Sequence, residues 1–137
     1  MEEIFLIGRI LFAYLVIGSG VAHLTATQAM AGYAQSRGVP NAKLLTQISG
    51  IAFIAGGISI LLGIIGDAGA LGLAILLVIT AVMMHAFWKE TDPQAKQMEM
   101  VSFNKDIALA GGALAIYVIF YGADGYGFYT LTGALFT

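Results

Sequence analysis

Apolar residues in this chain fall into four long runs, at 4–24, 44–65, 68–88 and 107–121, separated by polar gaps. A helix needs about 20 apolar residues to cross a bilayer. The first three runs meet that length. The fourth meets it by starting near Asn104, with the Lys105 side chain reaching toward the headgroups. The pattern predicts an all-α fold: a four-helix transmembrane bundle over residues 1–121, then a Gly- and aromatic-rich tail at 122–137.

The gaps differ in kind. Residues 30–36 have room for one or two helical turns before Arg37-Gly38-Val39-Pro40 stops them. Only Gly66-Asp67 parts the second and third runs, a tight hairpin that makes those helices antiparallel neighbours. The third gap lies within residues 83–106, MMHAFWKETDPQAKQMEMVSFNKD, which hold seven of the chain's fourteen Asp, Glu, Lys and Arg side chains. Asp92-Pro93 reads as a helix cap followed by a proline at the first helical position. The QAKQMEM that follows reads as a short amphipathic helix, lying in the interface before the last span.

Composition agrees with a bilayer as the solvent. The 137 residues are 59% hydrophobic and 10% charged, against about 25% charged in an ordinary soluble domain. The net charge of -2 comes with no basic face or tail, so nucleic acid is not an expected partner. The absence of cysteine removes disulfides, thiol redox chemistry and cysteine-ligated metals. Met1-Glu2-Glu3 puts acids where a cleaved signal would carry Lys or Arg, so the first run is expected to remain as an anchor. Arg37, Lys43, Lys89, Lys96 and Lys105 occupy the first and third gaps, against Arg9 on the other side. That asymmetry places the two gaps in the cytoplasm and both termini outside, in a multi-pass protein of the cell (inner) membrane. Ala55, Ser59 and Gly63, with Ala108/Gly112 or Gly111/Ala115, have the small-residue spacing at which membrane helices approach closely.

Polar side chains at membrane depth are the candidates for chemistry. Arg9 either extends to the outer headgroups or turns inward, to pair with Asp67 or an anionic group. His23 and His85 fall near the same ends of two parallel helices, with Trp88, Lys105 and Asp106 on that side. Three readings of the histidines stay open. Each hydrogen-bonds a neighbouring helix or headgroup; or the pair frames a pocket for a quinone headgroup and trades protons near neutrality; or the pair holds a haem between two imidazoles. The candidate ligand-binding set is therefore His23, His85, Trp88, Lys105, Asp106 and Arg9, with no catalytic or metal-ligating residue assigned. Haem is not expected, nor any other intrinsic cofactor. Trp88, Tyr117, Tyr121, Tyr126 and Tyr129 suit aromatic belts at the interfaces.

Several stretches together resemble one family. Gly8-Arg9, Gly18-Ser19-Gly20 and His23-Leu24 are similar to the first helix of the DoxX family of small integral membrane proteins. Tyr33-Ala34 with Gly38-Val39-Pro40 resembles its first loop, and Gly56-Gly57 with Leu62-Gly63 its second helix. His85-Ala86-Phe87-Trp88 resembles the end of its third helix, and Phe103 with Ala108-Leu109-Ala110-Gly111-Gly112 the start of its fourth. The resemblance runs over roughly residues 4–121. It implies a four-helix membrane protein, in a family that includes a subunit of an archaeal thiosulfate:quinone oxidoreductase and members associated with membrane redox or oxidative-stress complexes. Two departures stand out. Lys105-Asp106 replaces a frequent Lys-Asn pair, and Phe53 and Ile54 stand where many members carry a glutamate before the Gly-Gly.

The resulting expectation is an accessory or anchoring subunit of a quinone-linked membrane redox complex. Its partners would be the lipid bilayer and other membrane or membrane-associated redox subunits, with quinone as the ligand. The alternatives are a stand-alone structural bundle, a carrier of a small lipophilic molecule, or a membrane enzyme using His85 as acid and base.

Overall fold

A computed structural model describes residues 1–122 and 129–136. The helices are α1 (Glu2–Thr25), α2 (Thr27–Ser36), α3 (Ala42–Leu62), α4 (Gly66–Met84) and α5 (Pro93–Gly122), with a 3-10 turn at Phe87–Lys89 between the last two. α1, α3, α4 and α5 are each long and apolar enough to cross a membrane. α1 packs on α3, α3 on α4 and α4 on α5. Phe5 meets Phe120 edge-on at 5.3 Å and brings α5 back to α1, which closes the bundle. α2 is too short to cross and lies against α3.

The bundle is narrow because its core is built from small side chains. Ala13, Ala70, Ala74, Ala81, Ala110 and Ala113 are buried around Val16, Ile60, Leu73 and Leu77, while Ile7, Leu11, Tyr14, Ile75 and Val118 point outward. Lipid is as apolar as leucine, so close packing rather than hydrophobicity holds such helices together. α1 and α3 approach closely enough for backbone to meet backbone. A Cβ on Gly20 would sit 2.6 Å from the Gly50 carbonyl oxygen, and one on Gly50 would sit 2.7 Å from the His23 Cβ. This crossing fixes His23 against α3. Of the small residues picked out by spacing, Ser59 marks a further close approach, packing on Gly69 of α4, whereas Gly63 is the left-handed cap of α3 with φ 62°. The hairpin itself is residues 63–65, with Ile65 also left-handed, so Gly66 and Asp67 already belong to α4.

α5 differs from the expected pair of helices. Asp92 Oδ2 accepts the Ala95 N–H at 2.8 Å, and Pro93 follows the cap as expected. The segment from 93 to 100, however, continues into the last span without a break. No glycine or proline lies between Gln94 and Ala110, so nothing stops the helix where the polarity changes. A 30-residue helix is about 45 Å long, against about 30 Å of hydrocarbon, so its first turns extend beyond the apolar slab. Amphipathic character in this stretch thus reflects an overhanging helix end.

The described part of the tail is tied down at the opposite end. Leu131 and Thr132 donate backbone N–H groups to the Gly63 carbonyl at 3.1 and 3.0 Å. Leu135 and Phe136 donate theirs to the Asp67 carboxylate, each at 2.8 Å to Oδ2. The remainder of the predicted tail, with Tyr126, lies outside the described residues.

Candidate functional site

α1 and α4 finish at the end of the bundle where α3 and α5 begin, so the C-terminal turns of two helices meet the N-terminal turns of two others. Between them, beneath α2, lies a cavity of about 660 Å³, a size typical of small-molecule sites. Leu15, Leu45, Ile48, Leu76 and Ile79 give it apolar walls, and Ala26, Met30 and Tyr33 of the α2 segment cover it. His23, His85, Lys105 and Asp106 line it too. Four of the six residues singled out from the sequence therefore share one site.

His23 is held from both sides. Its Nδ1–H donates to the Ser19 carbonyl at 2.6 Å, and its ring lies 5.5 Å from that of Phe53. His85 follows the last residue of α4, where its Nδ1–H donates to Glu99 Oε2 at 2.8 Å. Its Nε2 is 3.6 Å from Asp106 Oδ2, too long for a hydrogen bond but close enough for an ion pair once the ring is protonated. Asp106 is buried, and Lys105 Nζ lies 3.2 Å from its Oδ1. Glu99 and Asp106 are seven residues apart, two turns of one continuous helix, which aims both carboxylates at the same imidazole.

Glu99 also anchors the cover. Its Oε1 accepts from the Tyr33 hydroxyl and from Arg37 at 2.9 Å. Arg37 further binds Glu90, donates to the Tyr33 oxygen at 2.8 Å and sits 5.0 Å above that ring. Burial and the hydrogen bond to Glu99 push the Tyr33 phenol above its ordinary pKa. Burial opposes the charge on Arg37, but its bonds to Tyr33 and Glu90 and the nearby Glu99 outweigh it and hold the guanidinium above its usual value. Both groups keep their protons at neutral pH. Tyr33, Glu90 and Glu99 join a cluster that sequence reasoning did not pick out as a site, and Arg37 was read only for orientation and as part of the stop after residue 36. The available signal was charge: one arginine in the first gap against acids at 90 and 99 in the third.

Trp88 and Arg9 belong elsewhere. Trp88 is half exposed and stacks edge-on with Phe87 and Phe103 at 5.2 and 5.6 Å, outside the cavity wall. Arg9 is at the far end of the bundle and fully buried, so it does not extend to the headgroups. Its Nε donates to the Ile60 carbonyl at 2.8 Å and its Nη2 to those of Leu61 at 2.7 Å and Tyr129 at 3.2 Å. It thereby caps the last turn of α3, whose carbonyls lack helical partners. The anticipated alternative, a pair with Asp67, is not among the ion pairs of the described residues, and Asp67 instead holds the tail.

Fold and site define a small four-span membrane protein with a mainly apolar cavity at one end, part of whose wall (Leu45, Ile48, Ile79 and Met83) is also exposed on the outside of the bundle. The DoxX family model matches residues 4–86, more than half of the chain, and the chain belongs to that family. No curated protein and no solved structure matches it. The family match takes in α1 to α4 and both histidines; the acids of α5 lie beyond it.

Proposed function

We propose that this DoxX-family protein is an accessory subunit that holds a quinone-type molecule for a membrane redox complex. The observation that carries this reading is the cavity: apolar along its walls, bounded by two histidines, a lysine and a buried aspartate. A quinone has the matching division, an apolar chain on a head with two polar oxygens. Such heads are recognised by a few placed polar groups in an otherwise greasy pocket. The imidazoles would contact the head, and the walls contributed by α1, α3 and α4 would take the chain. The excess of basic residues in the first and third gaps supports a cytoplasmic position for this end and both termini on the other side.

A simpler reading, carriage of a lipophile without a redox partner, is favoured by the same walls. Two measurements decide. Trp88 is the chain's one tryptophan, so its fluorescence reports locally. A short-chain benzoquinone should quench it saturably in detergent; quenching that rises linearly to the solubility limit would overturn the quinone site. Recovery of tagged protein from native membranes should bring down redox subunits, and recovery alone would leave only the carrier.

A further inference from the structure

The cavity has two kinds of wall. Val16, Phe53 and Leu77 line it and are buried in the bundle. Leu45, Ile48 and Ala52 of α3 and Ile79 and Met83 of α4 line it and are also exposed. Spacings of three and four residues put each of these groups on one helix face. Near the hairpin the two helices are in contact: Ser59 packs on Gly69, and a Cβ on Gly56 would sit 2.6 Å from the Leu73 Cγ. Toward the histidine end the two stripes become the lips of a slot. Its inner end, Ala52, is the midpoint of the 21-residue α3, so the slot lies at the depth of the acyl chains.

Resting on the quinone reading above, we infer that this cavity opens sideways into the bilayer between α3 and α4. Its ligand is a quinone with a membrane-length hydrocarbon chain, whose head lies at the histidine end and whose chain leaves through the slot. The cavity of about 660 Å³ matches a drug-sized molecule, so the rest of such a chain lies outside it. A chainless molecule would leave the slot to a lipid acyl chain; a chain joined to the head fills it without a second binding event. The chemistry of the slot suits hydrocarbon. Ser49 and Thr80 give their hydroxyl hydrogens to the carbonyls of Thr46 and Leu76 at 2.9 and 2.8 Å, so neither brings an unmet donor to the lipid. Lys105 and Asp106, the charged residues of the cavity wall, are on α5, which has no part in the slot.

The other side is fastened by charge. Met30 and Tyr33 of α2 lie over the cavity, Tyr33 and Arg37 bind Glu99, and Arg37 also binds Glu90. These bonds tie the α2 segment to α5 and to the loop before it. The lips have no such tie, because Leu, Ile, Ala and Met side chains carry neither a charge nor a donor. Parting them gives up only dispersion contacts, which lipid or the entering chain replaces. The bilayer side is therefore the easier way in.

The test uses the full chain in phosphatidylcholine nanodiscs and a benzoquinone whose decyl chain carries a diazirine at its middle. Adducts that excess unlabelled decylbenzoquinone suppresses should fall on the lips, at Ile48, Ile79 and Met83. Suppressible adducts at Leu15 or Leu109 instead, or only on the buried Val16, Phe53 and Leu77, overturn the slot and leave the quinone site standing. No suppressible adduct anywhere overturns both. Ile48→Trp combined with Ile79→Trp should weaken binding of radiolabelled decylbenzoquinone about tenfold, as overpacking a contact does, and leave that of chainless benzoquinone unchanged. Equal loss for the two quinones at a native melting temperature, or loss for neither, overturns the slot. So does disulfide pairing of two chains through Ile48→Cys that added quinone does not prevent, since a second copy would then fill it. Labelling of the native chain decides even where the double variant folds poorly.

Discussion

Glu99 Oε2 lies 2.8 Å from His85 Nδ1, so a carboxylate on the first turns of α5 holds a histidine fourteen residues earlier, at the end of α4. The other oxygen of the same carboxylate binds Tyr33 and Arg37. One side chain thus joins the cover of the cavity to its polar end. Glu99→Gln removes the charge on which all three partners rely. Hydrogen bonds to a charged group contribute about 1.5–3 kcal/mol each, and the loss is partly offset by the amide. The expected cost is about 2 kcal/mol, read as a thermal midpoint in detergent several degrees lower. An unchanged midpoint would show that the cluster does not hold α2 in place.

Tyr33 gives the cluster a pH signature. Burial first, and then its bond to Glu99, raise the phenol above its usual value of 10.0. A group whose folded pKa is raised stabilises the fold below its unfolded pKa and loses that contribution as pH climbs through the folded one. The Tyr33 interaction should therefore be intact at neutral pH and fail only in strong alkali. Ultraviolet phenolate absorbance of the native chain minus that of Tyr33→Phe should titrate with a midpoint above 10.0. A midpoint at or below that value would contradict the contact with Glu99.

Two glycines of α1 should respond oppositely to enlargement. A Cβ at Gly20 meets the backbone of α3, while one at Gly18 meets nothing within 4 Å. Gly20→Val should push the helices apart and cost about 1–3 kcal/mol, as overpacking does. Gly18→Ala should leave the melting temperature unchanged or slightly higher, because alanine is the better helix former. Equal effects at the two positions would argue against this crossing.

Arg9 should prove structural. Arg9→Lys keeps the charge but not the planar fork that reaches the carbonyls of Ile60, Leu61 and Tyr129 together. Leaving buried carbonyls unmatched costs about 1–3 kcal/mol each. The variant should accumulate poorly and melt earlier, while whatever protein survives should bind quinone with nearly native affinity. Selective loss of binding with a native melting temperature would put Arg9 in the ligand site after all.

The spans were readable because lipid demands long apolar runs, and the four runs have no rival interpretation. The histidine end was readable for a related reason: in so greasy a chain, His23, His85, Lys105 and Asp106 stand out. Glu99 was hidden by a change of polarity taken for a change of element. Once residues 93–100 are separated from the span, the seven-residue step from Glu99 to Asp106 loses its meaning. Arg9 misled for the opposite reason. A lone cation near a helix start has the same sequence signature whether it reaches headgroups or carbonyls, and only the end of α3 beside it decides.

The central claim, that a quinone-type molecule sits inside the bundle at its histidine end, is tested most directly by photolabelling with an azidoquinone and mapping the adducts by mass spectrometry. The account predicts adducts on cavity-lining residues such as Ser49, Phe53 and Met83, and their loss when Ala52→Phe fills the space. Adducts confined to outward-facing residues such as Leu11, Tyr14 and Val118, and unaffected by that substitution, would contradict it.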